Sequence, residues 1–214
     1  MGGRKKRVGI LISGRGSNMA SLIEAAKAPG YPAEIAIVIS NRPRADGLAR
    51  AEAAGIRTAV ADHTLFPERE SFDTEIGRAL DDAGVEFVCL AGFMRILSDT
   101  FVEARLGRLL NVHPSLLPSF KGLHPHRQAL AAGVRIHGCT VHFVIPQLDS
   151  GPIITQAAVP VHPEDDEKAL AGRVLLQEHR LYPLGLALVA SGQARLEAGR
   201  TVYADGAMTA LGLP

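Results

Sequence analysis

Val8-Gly9-Ile10-Leu11-Ile12-Ser13-Gly14-Arg15-Gly16-Ser17-Asn18 is the stretch that decides the fold. Its first five residues form a short apolar run that reads as a strand. The glycine-rich turn behind them opens an amphipathic segment, Ser17–Lys27, that reads as a helix. Working outward, the same unit recurs. Strands are expected at Val8–Ile12, Glu34–Ile39, Thr58–Val60, Glu86–Leu90 and Leu109–Val112, and helices at Ser17–Lys27, Asp46–Ala54, Arg69–Ala83 and Ser98–Ala104. The strands are apolar at consecutive positions rather than alternating, as when helices cover both faces of a parallel sheet. The fold class expected is therefore α/β: a single open, mostly parallel, twisted sheet with ligands at the C-terminal edge of its strands.

Beyond His137 the pattern changes. Thr140-Val141-His142-Phe143-Val144 alternates better, and Pro152–Val161 follows across a turn at Asp149-Ser150-Gly151, so an antiparallel pair is expected to complete the sheet. Asp166 to about Ala190 reads as a long helix with Leu170, Val174 and Leu181 on one side, kinked or split at Pro183. Arg195–Tyr203 reads as a small terminal hairpin. Neither an internal repeat nor a linker interrupts the 214 residues, and one continuous unit is expected.

Composition excludes several classes of function. With 23 basic and 22 acidic residues the net charge is +1, which is not the balance of a protein whose main partner is a nucleic acid. The cluster Arg4-Lys5-Lys6-Arg7 reads as a solvated tail. Cys89 and Cys139 sit in apolar runs without metal-ligand spacing and read as reduced, buried thiols. The apolar stretch Val8–Ile12 is too short for a signal-peptide core, and nothing approaches the ~20 apolar residues of a membrane span. A cytoplasmic protein without membrane attachment is expected.

Three motifs carry chemistry. Free backbone amides at Gly14-Arg15-Gly16-Ser17-Asn18, with Ser17 or Asn18 as the helix cap, suit a phosphate; a plain strand-to-helix turn is the alternative. Met19 stands where a dinucleotide fingerprint would have its third glycine, and the Gly-Lys-Ser/Thr of a P-loop is missing. In Asn111-Val112-His113-Pro114-Ser115-Leu116-Leu117-Pro118-Ser119-Phe120-Lys121-Gly122, an amide and an imidazole two residues apart share one face of an extended chain. Asp149, in Leu148-Asp149-Ser150-Gly151-Pro152, is the natural partner for His113, although a carboxylate beside Gly-Pro also suits a turn. Together Asn111, His113 and Asp149 form an oxyanion-stabilising set without a nucleophile, since no Gly-x-Ser-x-Gly elbow is present. Gly92-Phe93-Met94-Arg95-Ile96-Leu97 reads either as the wall of a slot for a flat heterocycle or as a packed loop. His124, His126 and His137 lack a third or fourth ligand at a recognised spacing, and no metal is expected.

Taken in order, these motifs closely resemble the phosphoribosylglycinamide formyltransferase family, over essentially the whole chain from Val8 into the last long helix. The resemblance implies a Rossmann-like formyltransferase fold. It also implies transfer of a formyl group from 10-formyltetrahydrofolate, as co-substrate, to the amine of glycinamide ribonucleotide in purine biosynthesis. Carried onto this chain, it assigns Gly16, Ser17, Asn18 and Glu178 to the ribonucleotide. Arg69, Met94, Arg95, Ile96, Leu97 and Asn111 are assigned to the folate, and Asn111, His113 and Asp149 to catalysis. Ser150 departs from the family, many members of which have glycine there. One domain over 1–214 is implied: a disordered basic tail at 1–6, a nucleotide-binding half of about 7–107, and a folate-binding and catalytic half of about 108–214. A homodimer is left open. Related formyltetrahydrofolate hydrolases carry His-Ser-Phe-Leu-Pro in place of His113-Pro114-Ser115-Leu116-Leu117-Pro118, and usually an extra N-terminal domain. Methionyl-tRNA formyltransferases add a C-terminal tRNA-binding domain.

Overall fold

The computed structural model describes residues 4–207. Its first strand, β1 (Lys6–Ile12), lies between β2 (Ala33–Ser40) and β4 (Phe87–Leu90), parallel to both. With β3 (Thr58–Val60), β5 (Leu109–His113), β6 (Ile136–Phe143) and β7 (Ile153–Pro160) they form a seven-stranded sheet ordered β3-β2-β1-β4-β5-β6-β7. Pairing is parallel as far as β5; β6 and β7 are antiparallel additions. A separate hairpin, β8 (Ala194–Glu197) with β9 (Arg200–Tyr203), is tied to the edge strand β7 by the Tyr203 hydroxyl, which donates to the Ile154 carbonyl at 2.7 Å.

Helices cover both faces, as the unalternating strands require. Helices α1 (Ser17–Ala26), α2 (Asp46–Ala53), α5 (Pro125–Ala131) and α6 (Glu167–Ala190) share one apolar core with Val8, Ile10, Leu110 and Val141. On the other face α3 (Arg69–Asp82) and α4 (Asp99–Glu103) pack with Leu11, Ile37, Ile39 and Val88. Cys89 and Cys139 are free and buried. Among the described residues no helix is long and apolar enough to cross a membrane.

Two expectations are corrected. Within the supposed basic tail, residues 1–3 lie outside the described residues, but Lys6 and Arg7 already belong to β1. Glu86 accepts Lys6 Nζ at 2.9 Å and lies 3.0 Å from Arg4, while Arg7 pairs with Glu34. Two carboxylates thus pair with three of the four cations, and Lys5 donates instead to the Ala26 carbonyl, so the chain is held in place and the strand starts two residues early. Nor does Pro183 split α6. A proline inside a helix costs ~3 kcal/mol or more, yet Leu181 and Tyr182 before it and Leu186 and Val189 after it are all buried. The Tyr182 hydroxyl lies 3.0 and 3.1 Å from the carbonyls of Leu90 and Leu110, anchoring the helix across two strands. Packing on both sides of the proline outweighs the lost helical bond.

Candidate active site

The C-terminal ends of the parallel strands gather the motif residues at one edge. There β1 leads into Ser13 and the glycine turn, β2 leads into Asn41, β4 opens into the 92–97 loop, and β5 ends at His113. Because Leu110 and Val112 point into the α6-side core, Asn111 and His113 alternate onto the opposite face. Over β5 and β6 on that face, two loops, 114–124 and 144–152, reach the site.

His113 is buried, and both its ring nitrogens face acceptors. Nδ1 lies 3.4 Å from Asp149 Oδ2, and Nε2 lies 2.9 Å from the Phe120 carbonyl. A ring with acceptors on both sides is best served by a proton on each nitrogen. Asp149 is also buried, and its Oδ2 accepts the Gly122 N–H at 2.9 Å. The loop that carries it is pinned by Gly151, where an added Cβ would collide with the Phe143 carbonyl.

Asn111 is half-buried and stands directly opposite His142 in the β5–β6 register, with Nδ2 3.3 Å from His142 Nε2. His142 Nδ1 lies 2.8 Å from the Phe143 carbonyl, so that nitrogen carries the proton and Nε2 is left to accept from Asn111. Burial pushes the His142 pKa down and outweighs the pull of Asp149, 3.9 Å away, which keeps the ring neutral. Asn111, His113 and Asp149 are thus brought together, with His142 as the piece that joins the amide to the carboxylate. Its position in an ordinary strand alternation gave no sequence signal of a site; only its place opposite Asn111 does.

At the glycine turn, Gly16 is the residue before α1 and takes a left-handed conformation (φ 68°), and no side chain caps the helix. Neither Ser17 nor Asn18 serves as the expected cap, which leaves the first amides of α1 free of a side-chain partner. Asn18 turns instead to α6, where its Nδ2 donates to Glu178 Oε2 at 2.5 Å, while its Oδ1 is buried without a partner. Glu178 is buried, and burial raises its pKa. The four residues matched to a ribonucleotide by the resemblance therefore lie around one helix start.

The 92–97 loop divides. Met94 and Ile96 are exposed at 64% and 60%, and Arg95 is exposed beside them. Leu97 instead has its side chain buried in the core under α3 and α4, where it anchors the loop from below and leaves its backbone as the part that faces the edge. Arg69 is exposed at the start of α3. His137 is buried, with Nε2 3.2 Å from His126 Nδ1 and its ring edge-on to Phe120; burial and His126 push its pKa down to about 4. Among the described residues no group of three or more His, Cys, Asp or Glu side chains is placed to hold a metal ion.

Residues 6–186 match the formyl transferase family model. The chain is 47% identical over 187 residues to phosphoribosylglycinamide formyltransferase of Escherichia coli (strain K12), covering 87% of this chain and 88% of that protein. It is 52% identical over 201 residues to the trifunctional purine biosynthetic protein adenosine-3 of Bos taurus, covering 94% of this chain but only 20% of that longer protein. Thus the chain spans about a fifth of the length of that trifunctional relative. Its fold is similar to glycinamide ribonucleotide transformylase 1 from Symbiobacterium toebii, with a TM-score of 0.92 and 44% identity, covering 95% of this chain and 96% of that one.

Proposed function

The chain belongs to the formyl transferase family, and on that premise we propose that it transfers the formyl group of 10-formyltetrahydrofolate to the amine of glycinamide ribonucleotide, a step of purine biosynthesis. The observation that carries this reading is the meeting of Asn111, His113 and Asp149 at the end of β5, beside an open strand edge.

Both substrates have fitting surfaces. The ribonucleotide phosphate sits on the amides of Gly16, Ser17 and Asn18, where the helix start favours an anion. A ribose hydroxyl donates to the buried Asn18 Oδ1 or to Glu178, supplying a partner that the free protein lacks. The folate lies along Met94, Arg95 and Ile96, with Arg69 nearby for its carboxylates and Asn111 at its reacting end. Arg69 and Met94–Ile96 lie in the 7–107 half, so, against the division expected from the resemblance, that half supplies the folate wall as well as the phosphate turn, and the 108–214 half the reacting groups.

Chemistry follows from what each group can donate. The glycinamide nitrogen attacks the formyl carbon, and negative charge grows on the formyl oxygen. Asn111 has a second N–H free for that oxygen, because its partner His142 fixes which way the amide faces. His113 offers the N–H now held by the Phe120 carbonyl, and Asp149 balances the charge of the doubly protonated ring. As the C–N10 bond of the folate breaks, the proton lost by the attacking amine ends on N10. No covalent enzyme intermediate is required.

Loss of 10-formyltetrahydrofolate, measured with and without glycinamide ribonucleotide, tests the assignment. Consumption that requires the amine is the expected result. Consumption without it would make the protein a formyltetrahydrofolate hydrolase, and no consumption in either mixture refutes the reading.

A further inference from the structure

Ser13 directly follows β1, immediately before the glycine turn, and is 4% exposed. Its hydroxyl makes two bonds in opposite senses: it accepts the Met94 N–H at 2.7 Å and donates to Asn41 Oδ1 at 2.6 Å. Asn41, 2% exposed at the end of β2, is held in turn by His63, whose Nδ1 lies 2.8 Å from the Asn41 carbonyl. One donor and one acceptor are thus spent on two loops that come from different strands. Met94 belongs to the exposed loop assigned to the folate; Ser13 is joined through Gly14 to the turn assigned to the phosphate. Gly14 also accepts the Gly47 N–H at 3.0 Å, so the turn is braced from α2 as well. Among the described residues, the one hydrogen bond that the Met94 amide makes is to this hydroxyl.

Resting on the formyl-transfer reading, we infer that Ser13 is a positioning residue that couples the two substrate sites, setting the folate loop through Met94 according to how the phosphate turn is filled. A ligand on the turn restrains the end of β1, and Ser13 passes that restraint to the Met94 amide. By linkage the folate must then tighten the ribonucleotide by the same factor.

Steady-state kinetics on Ser13→Ala, Ser13→Thr and Asn41→Ala test the inference. Ser13→Ala is expected to raise the KM for 10-formyltetrahydrofolate about tenfold, the scale of one lost buried hydrogen bond, while kcat stays within about threefold. Ser13→Thr, which keeps the hydroxyl, restores the KM. Asn41→Ala leaves the Met94 bond but frees the hydroxyl, and shifts the same constant in the same direction by less. In titrations with tetrahydrofolate, the gain in affinity caused by glycinamide ribonucleotide disappears in Ser13→Ala. Hydrogen exchange at the Met94 amide, slow in the native protein, becomes fast in that variant.

An unchanged folate KM in both Ser13→Ala and Asn41→Ala, or a fall in kcat alone, overturns the coupling. Should Ser13→Ala fail to fold, Asn41→Ala and Ser13→Thr carry the test by the same readouts. A native protein that turns over neither substrate refutes the formyl-transfer reading instead. A Met94 amide that exchanges equally slowly in the native protein and Ser13→Ala refutes the Ser13 link whatever the substrates are.

Discussion

The two ends of the site are built from different materials. Around Gly14–Asn18 the groups proposed to bind are backbone amides at a helix start, and the side chains mostly shape the turn. Around Asn111, His113, His142 and Asp149 they are side chains, three from adjacent strands and one from a loop, each held by a named partner. A backbone site depends on conformation and tolerates many side-chain changes. A side-chain site depends on identity, and one truncation strands the groups that remain. The phosphate end should therefore fail through geometry and the reacting end through chemistry.

The sharpest way to break this contrast is at the reacting end. His113→Ala and Asp149→Asn should each lower kcat at least ~100-fold while the protein folds normally, as removal of one oxyanion-stabilising group does elsewhere. Near-native turnover in either variant would remove these residues from the chemistry. Next in size, His142→Phe keeps the ring volume but removes the acceptor that orients Asn111. A neutral hydrogen bond is worth about 1 kcal/mol, so kcat should fall ~5- to 10-fold with little change in either KM. A loss seen only in KM would make His142 a packing residue.

At the phosphate end the expected change is smaller and of another kind. Gly16→Ala puts a Cβ on a left-handed residue, 3.0 Å from the Gly47 Cα and the Met19 Cε. Strain of roughly 1–3 kcal/mol should appear in stability and as a raised KM for the ribonucleotide, with kcat held within about twofold. If kcat collapses instead, the two ends are not separable in the way proposed.

Stability against pH gives the smallest effect. Burial pushes the pKa values of His126, His137, His142 and His179 down, His137 to about 4. Groups that ordinarily titrate near 6.5 thus take up protons more readily once the chain unfolds. Their contribution is complete above pH 6.5 and is lost as the pH falls towards 4; Glu178, raised by burial, works in the opposite direction as a single group. The urea midpoint should accordingly drop between pH 7.5 and 5. A midpoint that is flat or rising over that interval contradicts the burial of these rings.

The same division explains what could be read without coordinates. Runs such as Ile10-Leu11-Ile12 announce a strand buried on both faces by local composition alone, and Asp166 marks a helix start through its own cap bond to Ala169. His142 could not be read that way, because its meaning depends on a register of pairing with Asn111 across 31 residues of chain. The burial of the Leu97 side chain and the continuity of α6 through Pro183 were hidden for a related reason: each is decided by what packs around it, which local pattern does not reveal. Helix α5 is only seven residues long and starts after His124 in a left-handed conformation, so it offers too little periodicity to recognise.

A crystal structure with glycinamide ribonucleotide and a folate analogue bearing a formyl-like carbonyl tests the convergence most directly. The phosphate should lie on the Ser17 amide, the pterin beside Met94 and Ile96, and the carbonyl oxygen about 3 Å from both Asn111 Nδ2 and a His113 nitrogen. A carbonyl bound out of reach of 111 and 113, or a phosphate seated away from the α1 start, would contradict it.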